Sequence, residues 1–166
     1  AGHVITNYLE SFSEFDIFNI SHTKILNSKT VLMDITQKDS FERYLSENTF
    51  DFIINCTGIL NQFADTRKDL AVYINSYLPH YLEHRFIDTT TKIIHLSTDC
   101  VFSGAQGQYK EASFKDGDTF YDRSKALGEI INNKDLTFRM SIIGPDMNPK
   151  GIGLFNWFMQ STGEIK

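Results

Sequence analysis

The stretch KIIHLSTDCVFSGAQGQYKEASFKDGDTFYDRSKALGEII, Lys92 to Ile131, decides how the rest of this chain is read. It opens on an apolar run, Ile93-Ile94-His95-Leu96, that reads as a buried strand, and it puts Ser97-Thr98-Asp99 where such a strand ends. A loop rich in Gly, Ser and Asp follows. Tyr121-Asp122-Arg123-Ser124-Lys125 then begins a helical pattern carried on by Ala126, Leu127, Ile130 and Ile131. Tyr121 and Lys125 stand four apart and so share a helix face. That pairing has a chemical use. A phenol with an ordinary pKa of about 10 exchanges protons poorly near neutrality, and an ammonium a few ångströms away favours the phenolate and lowers that value. Thr98, at the neighbouring strand end, is placed to hydrogen-bond the same substrate oxygen. Such a trio serves the interconversion of a carbonyl and an alcohol, with the hydride carried by a nicotinamide cofactor.

A tyrosine four residues before a lysine recurs by chance, and alone it would describe an amphipathic surface helix. Here it has company. Ser97-Thr98-Asp99-Cys100-Val101-Phe102-Ser103-Gly104, then Gly107, Tyr109 and Glu111, then Tyr121-x-x-Ser124-Lys125-x-x-Gly128-Glu129 follow one another in order and spacing. Together they resemble the extended short-chain dehydrogenase/reductase family, in its dTDP-4-dehydrorhamnose reductase branch. The likeness runs the length of the chain at varying strength. It implies an α/β fold with a doubly wound, mostly parallel, Rossmann-like sheet, and NAD(P)H-dependent reduction of a 4-keto group on a nucleotide-linked deoxy sugar. It further implies that Thr98, Tyr121 and Lys125 are catalytic, that Asp99 and Arg139 meet the substrate, and that Leu96, Tyr121 and Lys125 adjoin the cofactor.

Composition is consistent with such an enzyme. The 166 residues make one domain with enough chain to bury a core, and 41% apolar with 22% charged residues is ordinary for a water-soluble domain. A net charge of −5 without any basic run argues against a nucleic-acid surface. Cys56 and Cys100 lie far apart in apolar strand-end settings, which favours buried thiols in a reducing compartment over a disulfide. No apolar run is long enough to span a membrane and no signal peptide is visible, so the cytoplasm is the expected location. The expected partner is a nucleotide-sugar substrate, with a homodimer left open.

Taken in order, the chain begins at Ala1-Gly2-His3 as the start of a helix with no strand before it. In a dinucleotide-binding fold a first strand feeds a glycine turn that holds the pyrophosphate. Gly2 resembles the last glycine of that turn, so the sequence reads as a Rossmann-like domain lacking its first strand and truncated at both ends. Phe15–Ile20 reads as a strand, followed by Ser21 and His22 at the cofactor. Absence of an acid after this strand favours NADP, with NAD the alternative, because an acid there would accept the ribose 2′-hydroxyl. Val31–Met33 is the next strand, and by resemblance Asp34 and Ile35 lie along the adenine edge. Asp34 read by itself is a cap or turn residue, and Asp39 or Ser40 would equally cap the helix marked by Phe41, Tyr44 and Leu45.

Asp51–Asn55 is a further strand. It ends in Cys56-Thr57-Gly58, where glycine permits a close ligand approach and where the family turn passes under the cofactor. A helix over residues 66–85 carries Asn75, matching a family asparagine that organises the site, and Pro79 should kink or restart it. Leu136–Arg139 reads as a strand leading to Gly144-Pro145. From about residue 145 the substrate-binding region begins, including an aromatic helix from Gly151 to Phe158 that is either a pocket wall or, more commonly, core.

Three rival readings are open to this sequence. His80-Tyr81-Leu82-Glu83-His84 spells a metalloprotease motif, but it lacks a third ligand in an appropriate place and falls on a sheet-covering helix; no metal is expected. A sugar-nucleotide epimerase or dehydratase would use the same trio and recycle its cofactor, although dehydratases usually carry Asp-Glu where Asp99-Cys100 stands. A non-catalytic NADP-binding regulator would have no reason to keep the trio.

Overall fold

The computed structural model describes residues 1–145, 151 and 153–163. Helix α1 (Gly2–Leu9) is followed by strands β1 (Asn19–Ser21) and β2 (Thr30–Leu32), helix α2 (Lys38–Glu47) and strand β3 (Phe52–Asn55). A long helical run comes next: α3 (Asn61–Thr66), α4 (Lys68–Ala71), a π-helical segment over Val72–Tyr77, and α5 (Leu78–Arg85). Strand β4 (Lys92–Ser97), a 3-10 turn (Asp99–Val101), helix α6 (Phe120–Leu127), strand β5 (Leu136–Arg139) and helix α7 (Leu154–Gln160) follow.

Each paired strand runs parallel to its neighbour. β1 pairs with β2, and β3, β4 and β5 form a second sheet in that order, with Asn55 opposite His95 and Ser97 opposite Arg139. Strand alternation then divides the side chains between two faces. Ile53 and Ile93 pack into a core with Phe41 and Leu45 of α2 and with Ile74, Leu78, Leu82 and Phe86 of the long helical run. The alternate residues Ile54, Ile94 and Leu96 line an apolar trough with Val4, Ile5, Tyr8 and Leu9 of α1. Helices on both faces of parallel strands make the fold α/β and doubly wound, as expected.

The sheet nevertheless comes in two pieces, because β1 and β3 are not paired with each other. In the Rossmann strand order one further strand lies between those two.

Local differences from the sequence reading have local causes. The strand placed at Phe15–Ile20 forms only at Asn19–Ser21. Phe15 is spent on an edge-to-face contact with Phe12, and Phe18 on Phe50 and Lys29, so the apolar run there builds ring contacts and not a ladder. The helix placed over residues 66–85 begins earlier, at Asn61, and is interrupted at Arg67. Pro79 restarts it in an unforeseen way. Having no N–H for the Asn75 carbonyl, it leaves the ordinary helical bond unmade, and the wider π segment lies at that point. Gln37 stands at the N-cap position of α2 without a side-chain cap bond, and the expected caps Asp39 and Ser40 lie inside the helix. Cys100, expected to be buried, is exposed because the chain turns outward straight after β4, while Cys56 is half-buried; both thiols are free. Helix α7 buries none of its residues, and Trp157 and Phe158 are both more than half exposed, so the expectation of core fails there. An apolar stripe shows which face seeks cover and not what covers it. Ile152 of that stretch and Glu164–Lys166 lie outside the described residues.

Candidate active site

The site is assembled where β4 ends and α6 begins. A capping box fixes the start of α6: the Thr119 hydroxyl accepts from the Asp122 N–H and the Asp122 carboxylate accepts from the Thr119 N–H, each at 3.1 Å. This puts Tyr121 in the first turn. Its ring packs against Ala64 and Ala71, whose small side chains let α3 and α4 come close to α6. Its hydroxyl lies beside that of Thr98, near enough to oppose the rise in its pKa. Thr98 in turn caps the following 3-10 turn, accepting from the Cys100 N–H at 3.2 Å, and reaches Asp99 at 3.2 Å. Asp99 also accepts from the Ser141 hydroxyl at 2.8 Å.

Lys125 is buried one turn further along. Its Nζ donates to the Leu96 carbonyl oxygen at 2.7 Å and lies 3.4 Å from His95 Nε2. It is therefore docked on β4. The expectation that Lys125 acidifies Tyr121 is not met in this arrangement: burial pushes the phenol above its ordinary pKa, the Thr98 hydroxyl opposes that only in part, and Cys100, Asp122 and Asp99 add to it. Burial likewise pulls Lys125 down to about 8, against the opposing pull of Glu129.

The residues assigned to the cofactor form two groups. Gly2 lies against Cys56, since a β-carbon there would stand 3.5 Å from Cys56 Cβ. Burial raises the Cys56 thiol pKa. Thr57 gives its N–H and hydroxyl to Asn55 Oδ1 at 3.1 and 2.6 Å, and Gly58 passes close to the Asn75 side chain. Asn75, fully buried, clamps this turn to α6: it accepts from Ile59 N–H at 2.8 Å and donates to the Ile59 carbonyl and to Ser124 Oγ, each at 3.0 Å. Ser21, the last residue of β1, and His22 form the second group with Asp34 and Ile35, which follow β2. Asp34 accepts from the Thr36 N–H and hydroxyl, which with nearby His22 hold its carboxyl below the usual range. That is the turn role open to it from sequence.

Arg139 is differently employed from its assignment to substrate. Its Nε and Nη2 donate to the two Glu129 oxygens and its Nη1 to the Glu111 carbonyl, each at 2.8 Å, with the guanidinium over the Phe102 ring. Glu129, with a side chain 1% exposed, also accepts from Lys115 and Ser97 at 2.9 Å. These donors outweigh the cost of burial and lower its pKa to about 2. Glu129 is the residue whose role the sequence left unread, although its place in the helix pattern was plain. Gly128 beside it has a steric reason: a β-carbon would overlap the Asn75 carbonyl oxygen and stand 3.1 Å from Ser76 Cα.

The metalloprotease motif is spent elsewhere. His80 uses one ring nitrogen on Glu83 and the other on the Leu127 carbonyl, each at 2.8 Å. No group of three or more His, Cys, Asp or Glu suited to a metal occurs among the described residues.

With this geometry in place, residues 14–143 match the family model described as the RmlD substrate binding domain. The chain belongs to that family. Among curated relatives, it is 30% identical over 117 residues to a protein of Haloferax volcanii named "Probable low-salt glycan biosynthesis reductase", covering 67% of this chain and 39% of that one. Among solved structures, a hypothetical dTDP-4-dehydrorhamnose reductase from Sulfolobus tokodaii superposes with a TM-score of 0.71 at 25% identity, over 83% of this chain and 52% of that one. An L-threonine dehydrogenase from Phytophthora infestans shares the fold at 18% identity, with a TM-score of 0.64 over 75% of this chain and 42% of that one. The chain thus spans about half the length or less of these members and neighbours.

Proposed function

We infer that this RmlD-family chain carries the cofactor- and oxygen-handling part of an NAD(P)H-dependent reductase acting on the 4-keto group of a nucleotide-linked deoxy sugar. The observation that carries the reading is the Thr98–Tyr121 hydroxyl pair at the end of β4, with Lys125 buried one turn along the same helix. A phenol whose pKa burial has raised holds its proton at neutral pH, which suits it to donate to a developing alkoxide. Thr98 orients the reacting oxygen. Lys125 stands within one helical turn to stabilise the phenolate that is left.

The residues present fit a nicotinamide dinucleotide. Gly2, Cys56, Thr57 and Gly58 bring a helix start and a strand-end turn together, and no acid follows β1, where Ser21, His22, Thr23 and Lys24 stand. This composition favours NADP over NAD. The bound cofactor supplies the hydride. Among the described residues no helix is long and apolar enough to cross a membrane, in keeping with work in the cytoplasm on a water-soluble sugar nucleotide.

The test is NADPH consumption by the protein with a panel of 4-keto deoxy-sugar nucleotides. Tyr121→Phe should lower turnover by about 10²–10⁴-fold while NADPH affinity stays close to that of the parent. Undiminished turnover in the variant would defeat the reading. Turnover without net NADPH consumption would point to an epimerase.

A further inference from the structure

His95, in the middle of β4, is fully shielded from solvent, a costly place for a ring carrying a donor and an acceptor unless both are met. Its partners can be assigned one at a time. Thr57 directs its N–H and its hydroxyl at Asn55 Oδ1, which settles which end of the Asn55 amide is oxygen. The Asn55 Nδ2 therefore faces His95 Nδ1, at 3.2 Å. Nδ1 accepts, and the neutral ring carries its hydrogen on Nε2. Nε2 faces Lys125 Nζ at 3.4 Å, while Nζ itself donates to the Leu96 carbonyl. An ammonium has nothing to accept with, whereas an amine has a lone pair. The hydrogen bonds from Thr57 through Asn55 and His95 run in one direction and close only on an uncharged lysine.

We propose that His95 is a positioning residue for Lys125, aiming Nε2–H at the lysine nitrogen on the end of β4 and so favouring its amine over its ammonium form. The proposal deepens the reductase reading and rests on it only for the meaning of Lys125. The surrounding charges are few. Glu129, beyond α6, favours the ammonium and also faces His95, and His80 of α5 acts on His95 from further off. Burial outweighs them, taking His95 down to about 3 and Lys125 down to about 8, so that the amine is a minority form at neutral pH and the majority form only above about pH 8. A sugar hydroxyl that draws Nζ away from Leu96 and His95 removes that bias and raises the charged fraction of the lysine beside Tyr121. The phenol is then more acidic in the filled site than in the empty one.

The test uses the full chain without cofactor or substrate. Ring ¹⁵N shifts give the His95 tautomer, and a ¹³Cε titration gives the Lys125 midpoint, with Lys125→Gln assigning the signal. Nδ1 should be bare and Nε2 protonated in the parent. Asn55→Asp keeps the Thr57 bonds and accepts a proton from Nδ1, which turns Nε2 into an acceptor. Lys125 should then titrate about one pH unit higher or more. His95→Gln adds no charge, offers an oxygen to Nζ, and should shift the midpoint the same way. An Nδ1–H tautomer in the parent overturns the proposal, and that measurement needs no variant to fold. So does an unmoved midpoint in both variants. Neither result touches the reductase reading, which falls instead to an active Tyr121→Phe protein.

Discussion

Glu129→Gln is the perturbation whose size the structure specifies best. The carboxylate is nearly solvent-free and gathers donors from three directions: Arg139 of β5, Lys115 of the preceding loop and Ser97 of β4. Its pKa falls from 4.5 to about 2, which at 1.36 kcal/mol per unit corresponds to roughly 3 kcal/mol. The sign follows from proton counting. Between these two values the unfolded chain holds a proton that the folded one does not, so the contribution is complete above pH 4.5 and is lost as pH falls toward 2. At neutral pH the glutamine keeps the shape and abandons two cations. Breaking a buried pair costs about 3–5 kcal/mol, and the lower end applies because the Lys115 and Arg139 side chains, 25% and 20% exposed, are able to rehydrate. Urea unfolding at pH 7 should show a midpoint lower by about 1–3 M, given slopes of about 1–3 kcal/mol per M. The gap between parent and variant should close as pH falls below 4.5. A variant within about 1 kcal/mol of the parent at pH 7, or a gap that persists unchanged into acid, would show that this cluster does not fasten the sheet to α6.

Four further outcomes follow from the same contacts. Gly128→Ala drives a β-carbon into the Asn75 backbone, which cannot swing aside like a side chain; thermal melts should show a loss of about 3 kcal/mol or more. Ser124→Ala leaves the buried Asn75 amide without its hydroxyl partner and should cost about 1–3 kcal/mol by urea titration. His95 has its pKa lowered to about 3 from 6.5, so the unfolded state binds the extra proton in that window; stability falls as pH drops through it, and His95→Gln should flatten that limb. NADPH should bind more tightly than NADH in fluorescence titrations, and His22→Asp should narrow or reverse the preference.

Much of this was legible because strand and helix periods are short and the motif residues lie inside them. Val31, Ile53, Ile93 and Phe138 fall in strands within a residue or two of the expected bounds. Tyr121 stands beside Thr98 and Lys125 docks on β4 because Thr98 is a strand end and the other two share a helix face. What escaped was set by contacts distant in sequence. Asn75 meets Ser124 across 49 positions, and Asn55 meets His95 across 40. Neither partner choice can be inferred from a period. The π segment is intermediate: Pro79 announced a disturbance, but its form depends on what Gly128 leaves room for.

The same distinction explains why a motif match overstates how many of its residues face a ligand. Along β4, His95 and Ser97 point to one face and fasten Lys125 and Glu129 there, and only at Thr98, where the ladder ends, does a side chain turn to Tyr121. Ser124 on α6 and Gly128 just after it serve the Asn75 amide and backbone, while Tyr121 stands beside Thr98. Arg139 shows the consequence most plainly. Its resemblance-based assignment was to substrate, yet Nε and both terminal nitrogens already hold protein acceptors. A substrate phosphate would have to compete with a buried carboxylate held by two cations. Arg139→Lys therefore separates the two roles: loss of the bidentate fork should lower stability more than substrate affinity, and a KM effect without a stability change would return Arg139 to the substrate.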